Sequence, residues 1–168
     1  MRHTVHADFA LRLLTYLAVA PGQRGTVGSI ADAFKISRHH LVKVSQSLVR
    51  GGILGADRGR SGGIYLLLDP ANITVGAIIK ASEDDFALVE CMGPARFCRI
   101  NGVCKFRQLF IRALAAYFAV LDEMTLADAV RYPESLRSVL NIRPVYPGAR
   151  DHSVPIAKPS VLSGGKRR

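Results

Sequence analysis

Cys91, Cys98 and Cys104 are the only cysteines of the 168-residue chain, and all lie in one stretch, CMGPARFCRINGVC. The first two are separated by six residues and the last two by five. Three thiols cannot pair off among themselves, and this spacing is not the doubled CxxC of a zinc ribbon. Soft thiolates select zinc, copper(I) or iron–sulfur clusters. Zinc requires a fourth strong ligand, and no histidine lies between residues 41 and 151. An iron–sulfur cluster tolerates a weaker oxygen ligand or one from another chain. Gly93, Pro94 and Gly102 predict an irregular loop that could wrap a group. Cys104 precedes a predicted helix, whose N-terminal N–H groups favour a thiolate-bound anion. Ordinary buried or redox-active thiols are the alternative at this point.

The elements around the loop carry charge. The net charge is +10. Residues 35–60 hold Lys35, Arg38, Lys43, Arg50, Arg58 and Arg60 against Asp57 alone. Residues 143–168 hold six basic side chains against Asp151, and the remainder of the chain is neutral. Localised positive charge points to an anionic partner, with double-stranded DNA first.

The first basic patch falls on a pattern that fits this partner. Val5, Phe9, Leu13, Leu14 and Leu17 recur at helical spacing until Pro21-Gly22 stops the helix. SIADAF (29–34) predicts a short second helix, and Lys35-Ile36 a turn. Ser37 is a good N-cap for a third helix through HHLVKVSQSLVR, ending at Gly51-Gly52. Leu41, Val44 and Leu48 would face inward, with His39, Lys43, Ser47 and Arg50 outward. ILGADRGRSGGIYLLL then reads as a basic hairpin, a wing whose Arg58 and Arg60 could enter a narrow minor groove. Arg38, His39, His40 and Lys43 lie where recognition helices meet base edges and phosphates. Ser29, near the start of the second helix, could meet a phosphate. The expected fold is mainly α, a winged helix-turn-helix.

Thr74 caps a predicted helix, VGAIIKAS. After Cys104 a long helix carries Phe106, Phe110, Ala113, Leu114, Tyr117 and Leu121 on one stripe, widened by Leu109 and Phe118. So apolar a helix outside the DNA-binding lobe predicts a partner, and a second copy of the chain matches palindromic half-sites. The N-terminus is apolar, but His6, Asp8 and Arg12 interrupt it, which reads as an amphipathic helix rather than a leader. No apolar run spans a membrane, and a cytoplasmic location is expected. Four prolines after Asn141 and a GGKRR ending predict a disordered basic tail over 142–168. The expected organisation is a DNA-binding domain over 1–75, a linker helix and thiol loop over 76–104 and a dimerisation helix region over 105–135. No HExxH, phosphate-binding glycine loop or plausible Ser/His/Asp set is present, so an enzyme is not expected.

The order of DFALRLLTYLA, SRHHLVKVSQSLVRGG, RGRSGGIYL, the three cysteines and LDEMTLADAV resembles the Rrf-type winged-helix regulators over roughly residues 1–135. Within that family the resemblance is to the nitric-oxide-sensing iron–sulfur repressors. It implies that Cys91, Cys98 and Cys104 bind a [2Fe-2S] or [4Fe-4S] cluster and that the protein is a homodimer releasing operator DNA on exposure to nitric oxide. It also implies that Asp8, in the first helix, completes the site from the partner subunit. Asp8 has a second reading as a surface partner of Arg12, one turn on. Sister regulators of cluster assembly place a histidine three residues after the last cysteine, where this chain has Arg107. The gap between Cys91 and Cys98 is longer than the resemblance predicts. An iron- or redox-responsive regulator is the alternative, and an electron-transfer iron–sulfur protein a more distant one.

Overall fold

The computed structural model describes residues 3–57, 59, 62–93 and 98–142. Arg58 and Arg60 of the wing and the tail from 143 lie outside the described residues, and so does the basic patch predicted there.

The first helix, α1 (Val5–Val19), is N-capped by the Thr4 hydroxyl, which accepts from His6 N. Its buried face is Ala7, Ala10, Leu13, Leu14 and Leu17. Val5 is exposed and Phe9 half-buried, so the stripe is carried at its start by alanines, which let neighbouring helices approach. Pro21 ends the helix, as expected.

The next helix, α2 (Val27–Phe34), starts two residues before the SIADAF segment. The cause is a capping box: the Thr26 hydroxyl accepts from Ser29 N at 3.0 Å, and Ser29 Oγ accepts from Thr26 N at 3.2 Å. Lys35 closes α2 in the left-handed region (φ 53°). The third helix, α3 (Arg38–Arg50), follows with Ser37 at its N-cap, although the Ser37 hydroxyl makes no capping hydrogen bond. Leu41, Val44 and Leu48 are fully buried, and His39, His40, Lys43 and Arg50 are exposed.

The wing is built from β2 (Leu54–Ala56) and β3 (Ile64–Leu66), paired antiparallel. A short strand that sequence reading did not anticipate, β1 (Arg24–Gly25), adds to the other side of β3, giving the order β1-β3-β2. β3 stops before Leu67 and Leu68, which are exposed, so the IYLLL run is only half strand. Gly55 lies against the Tyr65 ring, where any Cβ would overlap the ring carbons. Arg24 ties the sheet to the root of the wing through a 2.6 Å ion pair with Asp57 and lies 5.5 Å from the centre of the Tyr65 ring.

Helix α4 (Val75–Ser82) is capped by Thr74 as expected. Helix α5 (Lys105–Asp122) then runs for 18 residues with none of them buried. Phe106 is 71% exposed and Leu109 56%, although both belong to the predicted apolar stripe. The chain returns to the lobe through α6 (Leu126–Ala129) and α7 (Pro133–Val139). Leu126 enters the main core, and Leu140 and Ile142 pack with Val19. Arg137 Nε donates to the Val19 carbonyl at 2.7 Å. The core therefore sits between α1, α2, α3, the small sheet and α4. No helix among the described residues is long and apolar enough to cross a membrane.

Candidate nucleic-acid interface and thiol loop

The candidate DNA-reading surface follows from how α3 packs. Its apolar face is spent on the core, so its polar face turns outward as a block. Arg38, His39 and His40 fall in the first turn, and Lys43 comes one turn later. The His39 and His40 rings lie 6.2 Å apart, and His40 also lies 6.2 Å from the Phe9 ring of α1. Arg50 and Ser47 close the far end, with Arg50 Nη2 donating to Ser47 Oγ at 3.0 Å.

Ser29 and Ser37 sit beside this surface in different states. Ser29 Oγ is engaged in the capping box and donates to the Thr26 carbonyl at 2.9 Å. Ser37 is exposed and its hydroxyl makes no capping bond. Arg38 is anchored: its Nη2 lies 3.3 Å from Asp32 of α2. Sequence periodicity missed Asp32, because the pair crosses the turn between two helices and belongs to no single repeat. Arg38, His39, His40 and Lys43 are all exposed on the first turns of α3, with Ser37 exposed at its N-cap.

An open groove of about 640 Å³ lies between the polar side of α3 and the end of α4, lined by Thr4, His6, Lys43, Gln46, Arg50 and Glu83 among others. It links α3 to the end of α4, the segment that leads toward the cysteines. Glu83 is its fixed point. The Glu83 carboxylate accepts from Thr4 N at 2.8 Å and from the Thr4 hydroxyl at 3.0 Å, and lies 3.5 Å from His3. The His3 ring in turn contacts the Tyr117 hydroxyl of α5 through a hydrogen bond. The N-terminus, α4 and α5 are thereby joined.

The thiol loop connects α4 to α5. Cys91 lies in a single 3-10 turn, Glu90–Met92, and Cys104 is the N-cap residue of α5 with no side-chain capping bond. All three cysteines are free and half-buried. Arg107, one turn into α5, donates from Nε to the Cys91 carbonyl at 3.4 Å. Asn101 N donates to the Cys98 carbonyl at 3.1 Å. Asn101 Oδ1 is fully buried and has no hydrogen-bond partner among the described residues. Sequence reading passed over this oxygen, which no residue pattern marks.

Three free thiols in one loop form a soft donor set that suits an iron–sulfur cluster in kind, and the orphaned buried oxygen of Asn101 is a harder donor in the same loop. Among the described residues no three His, Cys, Asp or Glu side chains already converge as a metal site. The thiols would therefore have to close around such a group. Asp8 lies on α1, exposed and paired with Arg12. Arg12 Nε donates to Oδ1 at 3.1 Å, and Arg12 Nη2 lies 2.8 Å from Oδ2.

Comparison with known proteins agrees with this architecture. Residues 3–132 match the Rrf2 family, described as "Iron-dependent Transcriptional regulator". The HTH-type transcriptional regulator NsrR of Bacillus subtilis (strain 168) is 39% identical over 145 residues, covering 85% of this chain and 99% of that protein. The crystal structure of oxidized Staphylococcus aureus CymR superposes with a TM-score of 0.59 at 28% identity, covering 79% of this chain and 98% of the other. IscR of T. potens superposes with a TM-score of 0.60 at 21% identity, covering 82% and 91%, a likeness of fold.

Proposed function

From the premise that the chain belongs to the Rrf2 family of transcriptional regulators, we propose that it is a homodimeric repressor, acting in the cytoplasm, that senses nitric oxide through an iron–sulfur cluster held in the thiol loop. One observation carries the reading. All three thiols sit between a winged helix-turn-helix lobe and an apolar helix with no buried residue. Cys91, Cys98 and Cys104 would hold the cluster, and Asp8 of the partner subunit would complete it. A bound cluster supplies iron that reacts with nitric oxide.

The chain's own residues would convert that event into DNA release. With the thiols drawn together, Arg107 and Cys104 fix the loop against the start of α5. Helix α5 packs on α4, and α4 packs on α3. The loop state therefore biases the spacing of the two recognition helices in a dimer. A tenfold loss of DNA binding needs only about 1.4 kcal/mol of differential stability. Ser37, Arg38, His39, His40 and Lys43 would meet DNA, with Ser29 near a phosphate and Arg58 and Arg60 at the minor groove.

The test is a gel shift with full-length protein purified without oxygen, before and after nitric oxide. The expected result is a coloured protein that retards a subset of duplexes and loses both colour and binding on titration. A colourless protein with stoichiometric zinc would overturn the cluster. Equal binding to all duplexes would overturn the regulator. The description of the family as iron-dependent favours a second reading, in which the loop reports iron supply. It predicts release by an iron chelator with no response to nitric oxide.

A further inference from the structure

Arg38 and Asp32 are both placed against the electrostatics of their own helices. Asp32 lies in the last turn of α2, where the macrodipole favours a cation, and that turn holds no basic residue. Arg38 is the first residue of α3, where the macrodipole favours an anion, and that turn holds no acidic residue. Neither charge is explained by the stability of its helix. Each is explained by the other: Arg38 Nη2 lies 3.3 Å from Asp32 Oδ2 across the turn.

The guanidinium also has a prepared seat. A Cβ on Gly28 would come within 3.2 Å of Arg38 Cζ and Nη2, so the bare face of α2 at Gly28 is what the guanidinium lies against. The pair remains open to solvent, with the Arg38 side chain 67% exposed. Among the described residues Asp32 takes a single bond from Nη2, which leaves the second Nη2 hydrogen and the N–H beside it on the same guanidinium edge as a two-donor fork.

We propose that Asp32 is a positioning residue for DNA reading: it holds the Arg38 guanidinium over Gly28 at the first turn of the recognition helix, so that Arg38 meets a guanine edge rather than the nearest phosphate. This deepens the regulator reading and rests on it. A buttressed arginine presents its donors in one orientation, as bidentate pairing to guanine O6 and N7 requires. A free one swings to any phosphate, which adds affinity without sequence information. An exposed pair biases a side chain by no more than about fivefold, which sets the size of the effect.

The experiment uses the full chain, a duplex selected by the wild-type protein from a random pool, and a random-sequence duplex of equal length. Binding is measured by fluorescence anisotropy across a salt series for wild type, Asp32→Asn, Arg38→Ala and the double variant. Asp32→Asn is expected to tighten random-duplex binding by up to about fivefold and to steepen its salt slope by about 0.9. Binding to the selected duplex should not tighten with it, so discrimination falls. In the Arg38→Ala background the same change should leave discrimination unchanged, with only the equal tightening on both duplexes that losing one negative charge gives. An unchanged discrimination ratio and salt slope in Asp32→Asn overturns the inference while leaving the regulator reading intact. So does a loss of discrimination that persists without Arg38. A wild-type chain that selects no duplex from the pool overturns the regulator reading and the inference with it.

Discussion

Thr74 Oγ1 donates a 2.7 Å hydrogen bond to the Asp122 carboxylate and accepts from Ala77 N, so one hydroxyl joins the last residue of α5 to the first turn of α4. Lys80 Nζ holds the other carboxylate oxygen at 3.1 Å and lies 4.6 Å from the centre of the Phe118 ring. This joint is the anchored end of α5, and the thiol loop lies at its other end.

Gly76 makes the joint possible, because a Cβ there would overlap the Asp122 carboxylate. Alanine normally favours a helix over glycine by about 1 kcal/mol. At this site Gly76→Ala should instead lower stability, by about 1–2 kcal/mol, since the carboxylate must leave Thr74. Thermal melts of the two proteins at neutral pH decide it. A rise in midpoint would show that the carboxylate moves without loss.

The same contacts predict an acid limb for the fold. Hydrogen bonding from Thr74, then from Lys80, lowers the Asp122 pKa below its ordinary 3.8. Hydrogen bonding from the Thr125 side chain and backbone lowers that of Asp128. A carboxyl depressed in the folded state adds stability above its unfolded value, and that stability is lost as pH falls through the folded value. The variant Asp122→Asn/Asp128→Asn should therefore melt lower at pH 7 and lose less midpoint than wild type below about pH 4. Parallel melting curves for the two proteins from pH 7 to pH 3 would show that these groups do not govern the acid limb.

Much of this was legible in the sequence, because one side chain at a time announced it. Leu41, Val44 and Leu48 repeat at helical spacing, and Thr74 stands directly before the helix it caps. Contacts between distant residues were not legible. Asp122 reaches Thr74 across 48 positions, and Arg24 reaches Asp57 across 33. Strand β1 is two residues long, too short to show an alternating pattern, and exists only because β3 offers an edge. At the thiol loop the residue types suggested the chemistry, but convergence of three sulfurs depends on the loop path. Asn101 could be found only by asking where its oxygen is satisfied.

The proposed dimer would be held together by the exposed face of α5. Leu109 is 56% exposed in the single chain, and no residue of α5 is buried. Leu109→Glu costs the isolated lobe nothing and would bury a charge in a helix–helix interface. Sedimentation should show a monomer whose melting midpoint, measured at low concentration, matches the dissociated wild type. A dimer of unchanged affinity would move the interface off this face.

Asp8 separates two roles cleanly, because Arg12 occupies both of its oxygens. The pair is exposed and at i,i+4 spacing, worth about 0.3–0.5 kcal/mol, so it is a weak competitor for any stronger demand on the carboxylate. If Asp8 only pairs with Arg12, then Asp8→Ala and Arg12→Ala have the same small effect on the melting midpoint and neither changes the visible absorption of anaerobically reconstituted protein. If Asp8 is a ligand given by the partner, the variants diverge: Asp8→Ala alters the spectrum and shortens the colour's lifetime in air, while Arg12→Ala frees the carboxylate and preserves both. The second pattern is the expected one. Absorption spectra and bleaching rates of the two variants beside wild type decide it, with metal-free melts confirming that both are folded.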